Sequence, residues 1–217
     1  MQKIWRIKEP DPSLSQQLAS QLEIPTFIAK LLVNRGITDK ESGYAFLHPD
    51  ISQLHSPHKM PDIDKAVERI RKAIANHEKI WLYGDYDVDG VSSVCLLTLC
   101  LRELDADVNY YIPSRFDEGY GLNKDSIAEI KSKSCDLLIT VDCGISTVDE
   151  VRFANESGMD VIITDHHNPH EKIPPALAVV NPKVKGSDYP YDSLAGVGVA
   201  FKLAQALMDD HNSSGEE

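Results

Sequence analysis

Hydrophobic and polar positions alternate in two different ways along this chain. From about Ser13 to His77, apolar residues recur at three and four positions in short pieces separated by residues such as Pro25 and Gly36, which predicts small amphipathic helices. Asp62 precedes the last of these pieces, where it is expected to act as an N-cap. Residues 1–77 are therefore predicted to form a helical N-terminal region and linker.

From Lys79 onward, short continuous apolar runs alternate with helical segments. The runs are "IWLYG", "DVNYYI", "CDLLITVD", "MDVIITD" and "ALAVVN", and helices are predicted over Val91–Leu104, Lys124–Lys133, Thr147–Ser157 and Val199–Met208. Apolar strands that alternate with helices are typical of a parallel sheet covered on both faces. The expected fold class is α/β, with a doubly wound, mainly parallel sheet over residues 78–217.

Composition narrows the functional classes. A chain of 217 residues with 42% hydrophobic content is long enough for one α/β domain and a small appendage. The net charge of −12 argues against a broad phosphate-binding surface, so a polyanion would have to be held by metals and a few arginines. Since no apolar run is long enough to span a bilayer and the N-terminus has no apolar signal region, a cytoplasmic protein with reduced thiols and no membrane partner is expected.

Polar side chains with metal-ligand chemistry follow three of the predicted strands. Because the carboxyl ends of parallel strands meet at one edge of the sheet, these side chains are expected to lie close together. They are Asp85, Asp87 and Asp89 after the first run, Asp142 after "LLITV", and Asp165, His166 and His167 after "VIIT".

Three other interpretations of "DYDVDG" are weaker. An EF-hand loop requires an acidic residue at its twelfth position, and that position is Leu96. A phosphatase of the haloacid-dehalogenase type, with an aspartate nucleophile, leaves the histidine pair without a role. A purely structural role, such as Asp89 capping the helix near Val91, suits single residues but does not explain the converging set.

A two-metal hydrolytic site accounts for the whole set. Carboxylates with one or two imidazoles suit Mn²⁺, or Mg²⁺ where oxygen ligands dominate. Two ions that act together on one phosphate need a shared ligand. Asp142, which is alone on its strand, is the candidate for this bridge.

The motifs "GDYDVDG", "VDCG" and "TDHH", in this order, resemble the DHH phosphoesterase superfamily. The segments "IPSRFDEGYGLN", "VVNPK" and "SLAGVGVAFKL" resemble, within it, the RecJ family of bacterial single-stranded-DNA-specific exonucleases. The resemblance covers nearly the whole chain. It implies 5′-to-3′ hydrolysis of single-stranded DNA to 5′-mononucleotides in DNA repair and recombination, with single-stranded-DNA-binding protein and a helicase as partners.

The resemblance also assigns roles to particular residues. It implies metal ligation by four residues, namely Asp87, Asp89, Asp142 and His166. Asp85 is expected to be a further ligand or to support one, Asp165 to orient a histidine, and His167 to contact the scissile phosphate or help proton transfer.

The predicted nucleic-acid contacts are fewer. Arg115 is the candidate phosphate clamp, because a guanidinium can hold two phosphate oxygens, and Tyr120 is a candidate for stacking on a base. Gly196 and Gly198 either allow close helix packing or offer backbone amides to a phosphate. A surface arginine and a simple turn aromatic are the structural alternatives for the first two.

RecJ-like chains continue to a further motif that supplies the last metal ligand and to a DHH-associated C-terminal domain. This chain is therefore expected to be an N-terminal piece with weak or no activity alone. Two other functions remain open: a DHH phosphodiesterase acting on oligoribonucleotides or cyclic dinucleotides, and a non-catalytic DHH-fold scaffold in a replication or repair complex.

Overall fold

A computed structural model describes residues 8–116, 118, 119 and 121–214, with only the backbone of 210–214. The chain divides into two compact units, and the division falls between Leu54 and His55. Among the described residues, no helix is both long enough and apolar enough to cross a bilayer.

The first unit is a small cluster of helices. It comprises α1 (Pro12–Leu22), α2 (Thr26–Asn34) and α3 (Lys40–Leu47), followed by a short 3-10 turn at Ile51–Gln53. Asp11 and Asp39 cap α1 and α3 through hydrogen bonds to backbone amides, as expected of carboxylates at helix N-termini. Leu18, Ala29 and Leu32 form its buried core, so the predicted amphipathic helices of this region are present.

The second unit contains a five-stranded parallel sheet flanked by helices. Each predicted apolar run contains a strand, and the four predicted helices are observed with shifted ends. After a short 3-10 turn at Pro57–Lys59, the elements are α4 (Ile63–Ala75), β1 (Ile80–Gly84), α5 (Val88–Glu103), β2 (Val108–Tyr111), α6 (Lys124–Ser132), β3 (Leu137–Val141), α7 (Val148–Glu156), β4 (Asp160–Thr164), β5 (Ala178–Val180) and α8 (Gly196–Ser214). The expected α/β class with a doubly wound parallel sheet is confirmed.

The two faces of the sheet carry separate cores. Because side chains alternate along a strand, Ile80 and Leu82 of β1 pack with α4, α5 and α8, whereas Trp81 and Tyr83 pack with α6 and α7. The central strands β1 and β3 are buried throughout, as their continuous apolar runs indicate. Helices on both faces therefore cover the central strands and leave their ends open.

The strand order β2-β1-β3-β4-β5 determines where a ligand can bind. The chain leaves β1 toward one edge of the sheet and leaves β3 toward the other, so the loops after these adjacent strands diverge and form a crevice. This crevice receives the side chains that follow "IWLYG" and "LLITV" in the sequence. The predicted site thus lies at the topological switch point.

The sequence placed the regional boundary at residue 77, but the compact second unit already begins at His55. The difference arises because α4 buries Ile63, Val67 and Ile70 in the core of the sheet domain. The capping expectation for Asp62 needs correction as well. Asp62 precedes α4 with φ +54° and makes no side-chain cap; its Oδ2 instead accepts the Val179 N–H of β5 at 3.0 Å.

Candidate metal centre

The loop after β1 directs two carboxylates to the crevice. Asp85 is buried, and its Oδ1 accepts the Tyr86 N–H at 2.7 Å. Asp87 is the N-cap of α5, since its Oδ1 accepts the amides of Asp89 and Gly90 at 2.9 and 3.0 Å. Burial raises the pKa of Asp85, and the nearby charge of Asp87 adds to the shift. The loop therefore brings negative charges together.

The purely structural interpretation made Asp89 the cap of α5. In the structure Asp89 caps α8 instead. Its Oδ2 and Oδ1 accept the N–H groups of Gly196 and Val197 at 2.7 Å each, at the N-terminus of α8. These amides have no acceptor within the helix, and the helix dipole favours a negative charge there. The carboxylate therefore connects the N-terminus of α8 to the first turn of α5.

Asp142 follows β3 in a left-handed backbone conformation, with φ +59°. Its side chain is almost fully buried, and its Oδ1 accepts no hydrogen bond within the described part of the chain. Burial and the charges of Asp89 and Asp87 raise its pKa to about 7. Gly196 covers this carboxylate so closely that a Cβ at residue 196 would stand 2.6 Å from Asp142 Cγ.

Asp165, after β4, is buried and accepts several hydrogen bonds. Its Oδ1 takes the backbone amides of His166 and His167 and the Nδ1–H of His167, and its Oδ2 takes the Ile145 N–H at 2.9 Å. Burial acts to raise the pKa of Asp165, but the bonds from His167 and Ile145 lower it below its usual value. Asp165 is therefore an ionised group that accepts hydrogen bonds from the backbone and the ring of His167.

The orientation of His166 is fixed by a backbone carbonyl. Its Nδ1 lies 2.9 Å from the carbonyl oxygen of Leu194, which can only accept, so Nδ1 carries the proton in the neutral ring. The unprotonated Nε2 then faces Asp142 Oδ1 at 3.2 Å and Asp89 Oδ2 at 3.8 Å. A divalent cation between these atoms would pair with the lone pairs of both side chains.

The imidazole of His167 lies beside that of His166, with ring centroids 4.4 Å apart. The hydrogen bond from Nδ1 to Asp165 raises the pKa of His167, while burial and the positive charge of Lys183 act in the opposite direction. His167 is thus a more basic imidazole than an isolated one.

Among the residues that the structure describes, two groups of side chains could each hold a metal ion, and they share one residue. One group is Asp142, His166 and His167; the other is Asp85, Asp87 and Asp142; within each, the ligand atoms lie within 4.8 Å of one another. Ligands about 2.1 Å from an octahedral ion lie about 3 Å apart, which fits the His166–Asp142 separation. The donor set and the unsatisfied Oδ1 of Asp142 therefore suit a pair of divalent cations with Asp142 between them.

Comparison with known proteins assigns the family. Residues 79–217 match the model described as "DHH family, N-terminal domain". This range contains the whole sheet and all the ligand candidates described above. The chain belongs to the DHH family. The three letters correspond to Asp165, His166 and His167 at the end of β4.

Several relatives of this DHH chain share one printed name. The chain is 47% identical over 206 residues to "Single-stranded-DNA-specific exonuclease RecJ" of Bacillus subtilis (strain 168), an alignment that covers 95% of this chain and 26% of the relative. The crystal structure of RecJ in complex with Mn²⁺ from Thermus thermophilus is 31% identical with a TM-score of 0.75, over 96% of this chain and 29% of that one.

A second crystal structure, of exonuclease RecJ bound to manganese, is 37% identical with a TM-score of 0.65 and covers 70% of this chain and 38% of that one. The DHH chain thus spans about a quarter of the length of the Bacillus subtilis relative.

The residues predicted to contact nucleic acid differ in whether they are accessible to it. Arg115 is exposed beside the loop that follows β1, with its guanidinium 5.5 Å from the ring centroid of Tyr86. Tyr120 lies outside the described residues. The Gly196 amide is bonded to Asp89 and the Gly198 amide to the Ala195 carbonyl, so neither glycine N–H is available to a phosphate. The packing alternative fits both glycines.

Two supporting groups were not assigned from the sequence. One is the Leu194 carbonyl that fixes His166. The other is the fully buried Asn181, which follows β5 and whose Nδ2 donates to the His167 carbonyl at 3.0 Å. Its position directly after an apolar run, in "VVNPK", was the available signal, because the other site residues follow their strands in the same way.

Proposed function

We propose that this DHH domain is the catalytic part of a metal-dependent exonuclease, which hydrolyses single-stranded DNA from the 5′ end and releases 5′-mononucleotides in DNA repair and recombination. The observation that carries the proposal is the pair of ligand groups joined through Asp142. The names of the relatives support the substrate and the type of reaction. Polarity and cellular role come from the family resemblance.

The cofactor in this proposal is a pair of Mn²⁺ or Mg²⁺ ions. Asp142, His166 and His167 would hold one, and Asp85, Asp87 and Asp142 the other. Bound there, two ions would lower the pKa of the attacking water and neutralise charge on the reacting phosphate. Asp89 lies next to His166 and can complete the first group while it caps α8, because each carboxylate oxygen has two lone pairs.

The remaining residues position the substrate and the proton. His167, oriented by Asp165, would contact the scissile phosphate or take a proton from the attacking water, while the P–O3′ bond of the terminal nucleotide breaks and O3′ leaves with a proton from solvent. Arg115 would hold a neighbouring phosphate with two donors, and its place above Tyr86 keeps it at the rim of the site. Local contacts of this kind suit an otherwise acidic protein.

The setting of the protein belongs to the same proposal. It would act in the cytoplasm on single-stranded DNA, with single-stranded-DNA-binding protein and a helicase as partners. Each ligand group contributes three side chains, and waters would complete the coordination of each ion, because Mg²⁺ keeps several waters when it binds to a protein. We expect the 217-residue chain to bind metal but to cleave weakly or not at all, because it spans 26% of the length of its Bacillus subtilis relative.

The test begins with metal binding. Calorimetric titration with Mn²⁺ should give two bound ions for the chain and a loss of binding for Asp142→Ala, because both groups share this residue. Release of nucleotides from 5′-labelled single-stranded DNA is then measured with Mn²⁺, and a 3′-labelled strand is the control for polarity. Metal binding that is unchanged in Asp142→Ala contradicts the shared site.

The same assay separates the other two functions. Faster cleavage of dinucleotides than of long strands would favour a phosphodiesterase acting on oligoribonucleotides or cyclic dinucleotides. Failure of the chain to bind Mn²⁺ at all would favour a non-catalytic scaffold. Strong processive cleavage by the 217-residue chain would contradict the expected weak activity.

A further inference from the structure

A polar hollow of about 610 Å³ opens beside the metal centre, and none of the roles described above uses it. One wall is Asn168, the residue after His167, and the other is the loop that follows β5. Lys183 and Tyr191 lie in that loop and line the hollow together with Pro182 and the buried Tyr189. The hollow is therefore continuous in sequence with the DHH motif on one side.

The loop is attached to the metal centre by a buried side chain. Asn181 is fully buried; its Nδ2 donates to the carbonyl of His167, and its Oδ1 accepts the backbone amide of Lys183 at 2.8 Å. One amide side chain thus sets the position of Lys183 relative to His167. The amine is also close enough for its charge to act on the His167 ring.

The side chains of Lys183 and Tyr191 are available to a ligand. Within the described part of the chain, neither the Lys183 amine nor the Tyr191 hydroxyl has a hydrogen bond or an ion pair. Tyr191 is 52% exposed, which is high for a large aromatic side chain. Asp192 also lines the hollow, and its Oδ1 accepts the hydroxyl of Ser193 at 2.8 Å.

A cation and an exposed aromatic ring in one hollow form the usual pair of contacts for a single-stranded nucleic acid. The amine binds the backbone, and the ring stacks on a base without regard to its identity. The Lys183 amine pairs with none of the described acids, although Asp192 lines the same hollow. An anionic ligand would provide the missing partner.

We propose that this hollow is a nucleotide subsite of the metal centre, in which Lys183 contacts a backbone phosphate and Tyr191 stacks on the base. The subsite rests on the proposed function, since it holds the nucleotide next to the one being hydrolysed. Asn181 is its positioning residue, because it links the Lys183 backbone to His167.

The test is equilibrium binding of a fluorescein-labelled oligothymidylate to the 217-residue chain in EDTA, where no metal supports cleavage. By fluorescence anisotropy, Lys183→Ala should bind about 3- to 10-fold more weakly and reduce the slope of log K against log salt by about 0.7. Lys72→Ala is the matched control, since it removes an exposed charge of the same kind near the C-terminal end of α4. It should change neither quantity.

Stacking has its own matched pair of variants. Tyr191→Ala should weaken binding by at least about fivefold, whereas Tyr191→Phe, which keeps the ring, should stay within about twofold of the parent chain. Binding by Lys183→Ala and Tyr191→Ala that equals that of Lys72→Ala would overturn the subsite. Absence of binding by the parent chain would overturn it too.

Metal binding distinguishes the two proposals. If the chain does not bind Mn²⁺ but Lys183→Ala and Tyr191→Ala still lose affinity for the oligothymidylate, the subsite stands and the proposed function fails. If Mn²⁺ binds and is lost in Asp142→Ala, but the Lys183 and Tyr191 variants bind the oligothymidylate normally, the proposed function stands and the subsite fails.

Discussion

Asp142 illustrates a conflict between folding and function at the scale of one residue. Its backbone is left-handed, its carboxylate is almost fully buried, and Gly196 leaves no room for a solvating water on one side. A left-handed backbone costs conformational free energy in a residue that has a Cβ. Ionisation of a buried carboxyl beside other acids also costs free energy in the metal-free protein, and the raised pKa of Asp142 reflects this cost. A bound cation would remove the electrostatic part of this cost.

We therefore predict that Asp142→Asn stabilises the metal-free protein at pH 8. The folded-state pKa of about 7 lies above the ordinary value of 3.8, so the free energy of unfolding falls as the pH rises between these values. Asparagine tolerates a left-handed backbone and carries no charge. Thermal unfolding in EDTA should show a gain of about 1–3 kcal/mol at pH 8 that shrinks toward pH 4.

Asp165→Asn is the control for this prediction, and we expect the opposite sign. Asp165 has a lowered pKa and accepts hydrogen bonds at both oxygens, so the amide would leave a buried donor unpaired. The variant should lose about 1–3 kcal/mol at pH 8. Equal destabilisation by both substitutions would show that the charge of Asp142 does not destabilise the metal-free protein.

At the scale of helices, Asp89 connects two elements that are far apart in sequence. It lies in the first turn of α5, and its carboxylate caps α8 across 107 residues. Asp87 performs the local capping of α5. Asp87 and Asp89 are two positions apart, so one carboxylate caps α5 and the other caps α8.

We predict that Asp89→Ala loosens the start of α8 and leaves the start of α5 largely intact. Loss of the cap should cost about 0.5–2 kcal/mol, because the amides of Gly196 and Val197 lose their acceptor. Hydrogen exchange of peptides that cover residues 196–200 should accelerate in EDTA. Asp87→Ala is the matched variant, and it should accelerate exchange at residues 88–91 instead; faster exchange at α5 in both variants would contradict this division.

Gly196 gives a second prediction for α8. In Gly196→Ala the added methyl would overlap the Asp142 carboxylate, so we expect a loss of about 1–3 kcal/mol and at least a tenfold weaker affinity for Mn²⁺. Gly198→Ala is the control, since its Cβ would meet the Leu194 side chain at 3.3 Å and that side chain can adjust. Calorimetry should separate the two variants, and similar affinities would show that the close approach is unimportant.

At the scale of the whole molecule, the metal centre depends on one of the two compact units. Every ligand candidate and every described strand lies after His55, and the first unit has its own small core. We predict that residues 55–217 alone unfold cooperatively and bind Mn²⁺ within about threefold of the affinity of the full chain. Circular dichroism and calorimetry test this, with Asp142→Asn in the shortened chain as the control. A molten or aggregated product would show that the first unit is required.

The sequence determined the type of fold and the edge that carries the site. Continuous apolar runs specified β1 and β3, and the residues directly after them had to emerge at the carboxyl edge of a parallel sheet. The same argument applies to β4, and for this reason Asp85, Asp142 and His166 are predicted to lie together. The observed helix ends differ from the predicted ones. For example, α8 begins three residues before its predicted start, because its first amides bond to Asp89.

Only the tertiary structure decided how these residues are partnered. Asp89 caps a helix 107 residues away, Asp62 bonds to β5 instead of α4, and the Leu194 carbonyl sets the protonated nitrogen of His166. Periodicity reports which face a residue occupies, because that depends on its neighbours in the chain. It does not report which distant atom meets that face, because that contact exists only after the sheet and helices have packed.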